Sequence, residues 1–413
     1  MRPDVSRVYT SPRVLPLLIL GFASGLPLAL VSGTLQAWAT VENVSLTEIG
    51  FLTLVGSAYT LKFLWAPLID RYAPPFMGRR RGWILVTQLL LAASIAAMGL
   101  FSPSVNLTAL ALLAVWVAFL SATQDIAFDA YCTDVLQAHE RAAGAAVKVM
   151  GYRIAMIVSG GLALILADRW LGWSNTYFLM GAFMALCALV TLISPDPQEQ
   201  SRPPRSLSEA VIAPLADFFS RPGAWSVLAL IVLYKLGDAF AGALSTTFLI
   251  RAAGFTLSEV GTINKVFGLA ATVVGALVGG AIMARLGLYR ALMIFGILQA
   301  VSNLGYWLIA IETAPSMWLM GIVVGLENLC GGLGTAAFVA LLMALCNRTY
   351  SATQFALLSA LSAVGRTYLA GPLTPVLVES LGWPGFFICT VFIAVPGLLM
   401  LRCYRGLIQQ LDA

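Results

Sequence analysis

Apolar runs long enough to cross a bilayer recur from one end of this chain to the other, and no other feature restricts its fold so strongly. A helix needs about 20 apolar residues to span the hydrocarbon core. Twelve stretches approach or exceed that length, at residues 14–38, 49–69, 83–101, 108–131, 143–167, 175–195, 223–247, 259–284, 290–311, 317–343, 353–378 and 384–401. Backbone polar groups in lipid must be satisfied within the segment, which makes each run a helix. The 413 residues are 60% hydrophobic and only 10% charged, with a mean hydropathy of +0.89, well outside the composition of a soluble domain. The fold class predicted is an all-α polytopic membrane protein.

Twelve crossings put both termini on one side, and the basic residues say which. Sixteen arginines lie in the termini and the loops on that side, against Arg169 and Arg251 opposite. The positive-inside rule makes that side cytoplasmic. The net charge of +5 is thus a topology signal, and no nucleic-acid partner is expected. Arg2, Arg7 and Arg13 precede a first run too long, and too poor in a small-residue cleavage site, for a signal peptide.

The longest loop divides the chain. Residues 1–195 read as an N-terminal six-helix half, 196–222 as a cytoplasmic linker, 223–401 as a C-terminal six-helix half and 402–413 as a cytoplasmic tail. The linker carries Pro197, Pro203 and Pro204 and then turns amphipathic over 207–219, which predicts a short interfacial helix. Leu46-Thr-Glu-Ile-Gly50 opens the second run and Leu257-Ser-Glu-Val-Gly261 the eighth, at an offset of 211. Capped helix N-termini alone would produce such strings, but matching positions in two halves point to duplication. Two parallel six-helix repeats joined by a cytoplasmic loop describe the major facilitator arrangement, whose members bind substrate near the midplane between halves.

The loop after the second run reads Asp70-Arg71, then Gly78-Arg79-Arg80-Arg81, and resembles the loop motif of that superfamily with its spacing lengthened by 73–77. Carboxylates and guanidinium groups at a helix junction can latch helices and release them. Asp70, Arg71, Gly78, Arg79 and Asp129 are the gate-latch candidates; the plain alternative is that the arginines only set topology. The six cysteines form no CxxC pair, so neither a disulfide framework nor a metal site is predicted. His139, the single histidine, sits in a polar turn beside Glu140 and Arg141 and reads as a solvated loop residue.

Ser121-Ala-Thr-Gln-Asp-Ile-Ala-Phe-Asp-Ala-Tyr131 places an amide and two carboxylates in lipid-buried sequence. Asp125 and Asp129 share a helix face, which must look onto a partner helix or a water-filled cavity. Asp125 is the deeper of the two and the first candidate for a proton carrier, since burial disfavours its charged form. Glu327 and Asp238 are second candidates. Lys62, Arg153, Lys235 and Arg366 also lie near mid-depth, so the centre carries more positive than negative charge and should attract an anion. Each has a structural alternative: Lys235 and Asp238, three apart, can neutralise each other, and Glu327 can join helices through Arg366 or Arg153. Gln124, Gln36, Lys62, Arg153, Lys235, Asn328 and Arg366 make up the candidate substrate path. Gly25-Leu-Pro27, Gly331-Gly332, Gly334 and Gly371-Pro372 either open helices locally or let them pack closely. Trp38, Tyr59, Phe128, Tyr152 and Tyr234 either stack on a sugar or pack.

Further stretches carry a family resemblance: Gly21-Phe-Ala-Ser-Gly-Leu-Pro-Leu28, Ser32-Gly-Thr-Leu-Gln-Ala-Trp38, Ser121 to Ala130, Gly144-Ala-Ala146, Ser159-Gly-Gly-Leu-Ala163, Tyr234-Lys-Leu-Gly-Asp-Ala-Phe240, Glu327-Asn-Leu-Cys-Gly-Gly332 and Ala352 to Arg366. On these the chain resembles the AmpG-type muropeptide permeases of Gram-negative bacteria. The resemblance implies a symporter of the inner membrane. It would use protons to import N-acetylglucosaminyl-1,6-anhydro-N-acetylmuramyl peptides from periplasm to cytoplasm during peptidoglycan recycling, with a link to β-lactamase induction. It implies no cofactor besides the coupling proton, and a monomer in the lipid bilayer. A net-positive centre suits a peptide bearing carboxylates, whereas the anhydro sugar rests on the resemblance alone. Another anionic solute such as acetyl-CoA is the alternative cargo. A membrane enzyme is not expected, because the chain shows no nucleophile and base constellation and no metal-ligand spacing.

Overall fold

The structure is a computed structural model that describes residues 11–72, 74–137, 140–196, 213–221, 223–314, 316–346 and 351–411. His139 and most of the linker, 197–212, lie outside the described residues. Every regular element described is helical, and ten helical stretches are long and apolar enough to cross a membrane.

The chain divides into two compact units, 1–42 with 55–205 and 43–54 with 206–413. In the first unit, α1 (Pro16–Leu30), α2 (Gly33–Val41), α6 (Arg79–Met98), α7 (Pro103–Val135), α8 (Arg141–Ile157), α9 (Ala163–Arg169) and α10 (Gly172–Ile193) are the main helices. Between α2 and α6 come α3 (Leu46–Leu52), α4 (Ser57–Leu61) and α5 (Ala66–Arg71). Glycine sets how closely α1 and α8 approach: a Cβ on Gly21 would stand 2.5 Å from the Lys148 carbonyl oxygen, and one on Gly151 2.1 Å from that of Leu18. The Gly25-Leu-Pro27 stretch therefore packs closely on α8, and the interruption of the first span falls later, at Ser32 (φ −123°, ψ −101°). Val14, Leu17, Ile84, Phe128 and Tyr131 form one apolar cluster of this unit.

The second unit holds α11 (Ala213–Phe219), α12 (Ala224–Ala243), α13 (Gly268–Leu286), α14 (Leu288–Ser302), α15 (Leu304–Ile311), α16 (Met317–Leu345), α17 (Ser351–Val364), α18 (Gly371–Cys403) and α19 (Arg405–Leu411). Small residues again carry a close crossing: Gly275 of α13 meets the Leu329 carbonyl and Gly332 of α16 meets that of Thr272, each 2.2 Å from a would-be Cβ. Such close approach is how helices associate where lipid removes the hydrophobic drive. Phe248, Tyr306, Trp383 and Phe387 form an aromatic cluster at ring separations of 4.8 to 6.3 Å.

Three sequence expectations change here. The second run is not one helix but α3, α4 and α5 joined by 3-10 turns, because Gly50, Gly56 and Pro67 interrupt it. The last two runs meet without a connecting loop: α18 comprises two helices joined at Gly382, whose φ of +64° only glycine adopts readily. The amphipathic segment of the linker is helical over Ala213–Phe219 and is docked on its own unit: Phe218 is buried and Asp217 accepts from Arg221 and from the Gln354 amide. The repeat is visible in the caps, where Ser45 with Glu48 and Thr256 with Glu259 each form a complete capping box.

Candidate functional site

Asp125 projects from the middle of α7, and two other helices supply its partners. Ser24 Oγ on α1 donates to Oδ1 at 2.5 Å, and Lys62 Nζ stands 3.9 Å from Oδ2. The Asp125 side chain is 15% exposed and that of Lys62 37%. A carboxylate held by one neutral donor and one flexible ammonium can exist charged, with Lys62 close, or protonated, with Lys62 released toward solvent. Gln124, next in sequence, is 1% exposed, and neither end of its amide has a partner among the described residues. Tyr59 and Tyr152 lie within electrostatic reach of Asp125. The first unit thus concentrates polar groups around one buried carboxylate.

Asp129, one turn further along α7, pairs with Lys148 of α8, whose ammonium also lies 5.2 Å from the Phe128 ring centre. The sequence put Asp129 within reach of Arg71 and Arg79; its ion pair here is with Lys148, one of the basic residues inside the spans that was left out of the candidate site. Arg71 is exposed and stacks over Tyr72 at 5.9 Å. Gly78 caps α6 at φ +69°, and Arg79 is buried. Asp70 stands in α5, its side chain outside the described residues. Two ion pairs anchor the neighbouring arginines: Arg80 Nε meets Asp134 at 2.9 Å with both side chains under 10% exposed, and Arg81 reaches Asp196 at 3.2 Å. Sequence reasoning passed over Asp134 and Asp196, although both lie at the ends of apolar runs.

Gln36 is buried in α2. Arg153 is half-buried on α8, its Nη1 3.9 Å from Met156 Sδ. In the second unit, Lys235 and Asp238 pair along α12 at 3.6 Å, and Lys235 also reaches Thr335 Oγ1 at 3.4 Å. The mutual neutralisation weighed from the sequence is therefore present. Thr272 Oγ1 donates to Asn328 Oδ1 at 3.0 Å, and Asn328 Nδ2 donates to Glu327 Oε2 at 2.8 Å, which ties the α16 carboxylate to α13. Arg366 lies exposed in the π-helical turn Gly365–Ala370, with no ion pair among the described residues. Lys265, which the sequence reading left out of the site, occupies the π-helical turn Val260–Phe267, donates to Thr246 Oγ1 at 2.7 Å and lies within electrostatic reach of Glu327 and Arg366.

The sugar-stacking candidates resolve differently. Trp38 is 2% exposed and stacks on Trp173 at 5.5 Å, with Tyr177 at 5.2 Å. Tyr234 lies flat on Phe338 at 5.6 Å and donates to the Leu292 carbonyl. Both rings are packing residues in this structure.

Titratable groups buried in helices long and apolar enough to cross a membrane suit a membrane carrier. The Major Facilitator Superfamily model matches residues 17–326. The chain is 60% identical to the anhydromuropeptide permease of Escherichia coli (strain K12), covering 99% of this chain and 83% of that one. It is 34% identical to the putative transporter AmpG 4 of Rickettsia felis, covering 96% and 97%. Among solved structures, a bacterial homolog of the human lysosomal transporter Spinster, inward-facing and unoccupied, superposes with a TM-score of 0.74 at 15% identity, covering 100% of this chain and 99% of that one. A D-xylose–proton symporter gives 0.71 at 13%, covering 95% and 97%. The chain belongs to the major facilitator superfamily and, within it, to the AmpG-type permeases.

Proposed function

We propose that this protein imports anhydromuropeptides across the bacterial inner membrane, driven by protons moving the same way. The observation that carries the cargo is the 60% identity, along 99% of the chain, to a permease named for it. What supports the coupling is Asp125, a buried carboxylate with one hydrogen-bond donor and one mobile cation as partners. In this reading Leu46–Arg71 crosses the bilayer as a broken helix and the two helices that meet at Gly382 cross once each, giving twelve crossings with both termini cytoplasmic. Asp125 takes the proton, with Glu327 and Asp238 as the further carboxylates. Gln124, Gln36, Lys62, Arg153, Lys235, Asn328 and Arg366 contact the substrate, the arginines taking its carboxylates as bidentate forks. Asp70, Arg71, Gly78, Arg79 and Asp129 act in gating. The protein works as a monomer, and by setting the cytoplasmic level of muropeptides it bears on β-lactamase induction.

The test is uptake of radiolabelled anhydromuropeptide into proteoliposomes containing only this protein, with and without an inward proton gradient. Gradient-stimulated accumulation is the expected result. Accumulation that ignores the gradient removes the coupling and keeps the cargo. Displacement of the label by acetyl-CoA, with no accumulation of muropeptide itself, replaces the cargo.

A further inference from the structure

The span made of α14 and α15 has its junction at Asn303, in the second unit, where the backbone keeps φ −60° and ψ −25°. Ser302 Oγ turns back to the Gln299 carbonyl at 2.8 Å, and the Tyr306 N–H to the Asn303 carbonyl at 3.1 Å, so the backbone there is satisfied locally. The side chains are not. Asn303 is 0% exposed, and neither its Nδ2 nor its Oδ1 has a partner among the described residues. Gln299, one turn earlier on the same face, is 4% exposed, and its Nε2 likewise lacks one. Buried amides left unpaired are costly, and native interiors satisfy them with protein groups or ordered water.

Two glycines of α16 make room for the Gln299 side chain. The Gln299 side chain lies over Gly331 and Gly334: its Nε2 would be 3.7 Å from a Cβ on the first and its Oε1 2.5 Å from one on the second. The internal repeat offers a comparison. Gln88 precedes Gln299 by the same 211 residues that separate the Leu46 and Leu257 strings. Thr191 Oγ1 donates to Gln88 Oε1 at 2.6 Å, while Gln88 Nε2, like Gln299 Nε2, has no partner among the described residues. In the second unit the corresponding amide faces glycine instead, with Asn303 added beside it.

We propose that Asn303 and Gln299 hold ordered water between α14–α15 and α16. The ligand class follows from the donor set. Two amide N–H groups repel a cation and an amide oxygen repels an anion, whereas water both donates and accepts. The site borders Glu327: that residue lies one turn before Gly331 on α16, and Tyr306, one turn past Asn303, is within electrostatic reach of it. The water site stands whether or not transport is coupled to protons.

Radiolytic hydroxyl labelling of the purified full-length protein in water enriched in oxygen-18 tests this, because bound water generates the radical where it sits. Tyr306 is 2% exposed and Tyr177 0%; Tyr177 donates to the Leu30 carbonyl and serves as the dry internal standard. Labelling of Tyr306 several-fold faster than Tyr177, falling to the Tyr177 rate in the Asn303→Leu/Gln299→Leu variant, is the expected result. Equal rates for the two tyrosines in the unaltered protein overturn the proposal without recourse to a variant. Fast labelling that persists in the variant overturns it too, by placing the water elsewhere.

Discussion

Ser24 Oγ donates to Asp125 Oδ1 at 2.5 Å, from one helix of the first unit to another. The bond fixes one carboxylate oxygen and leaves the other to Lys62, at 3.9 Å. This division gives the two partners separable effects.

Asp125→Asn retains an acceptor for Ser24 and removes the titratable group. Gradient-stimulated accumulation should fall to the level reached without a gradient, while exchange of labelled for unlabelled substrate across the membrane persists. Ser24→Ala should lower the rate more modestly, and the double variant should be no worse than Asp125→Asn, since the two groups act through one contact. Full proton-driven accumulation by Asp125→Asn would dismiss its role.

The sequence made much of this legible, and the physical reason is that lipid is an unforgiving solvent. A carboxylate in an apolar run is costly enough to be conspicuous, which is why Asp125, Glu327 and the half-repeat could be read directly. Partners were harder. Ser24 looks like any small residue of a packed helix, and Lys148 stands near the start of the apolar run 143–167, so nothing local says that it meets Asp129. Helix boundaries were harder still. Pro375, Pro384 and Pro396 all lie within Gly371–Cys403, yet the two helices of that stretch meet at Gly382, where a positive φ turns the chain. Trp38 shows the converse case, a residue whose chemistry suits a sugar and whose surroundings are other aromatic rings.

Trp38→Ala should therefore act through stability. Removing a buried aromatic stacked on Trp173 costs about 3 to 5 kcal/mol. Thermal unfolding of the detergent-solubilised protein should shift down, with uptake per folded molecule keeping its substrate concentration dependence. A raised half-saturating concentration with an unchanged unfolding midpoint would put Trp38 in the substrate site.

Gly275 and Gly280 on α13 offer a matched pair. A Cβ on Gly275 would stand 2.2 Å from the Leu329 carbonyl oxygen, and one on Gly280 meets nothing within 4 Å. Gly275→Ala forces α13 and α16 apart and should cost about 1 to 3 kcal/mol. Gly280→Ala should be neutral or slightly stabilising, because alanine is the better helix former. Equal unfolding midpoints for the two variants would contradict the close crossing.

The arginine loop makes the last case, because adjacent residues hold ion pairs in opposite surroundings. Arg80 and Asp134 are 9% and 6% exposed in their side chains, whereas Asp196, the partner of Arg81, is 65% exposed. An exposed pair gains little over hydration, so Asp196→Ala should change stability by about 1 kcal/mol or less. A buried pair is different: deleting one member strands the other charge, and Asp134→Ala should cost about 3 to 5 kcal/mol. Arg80→Met/Asp134→Leu removes both charges and fills the space, and should recover most of that loss. Thermal unfolding of the four proteins decides the matter. If Asp134→Ala and Asp196→Ala unfold together, the Arg80 pair is no more buried than its neighbour, and the loop serves topology alone.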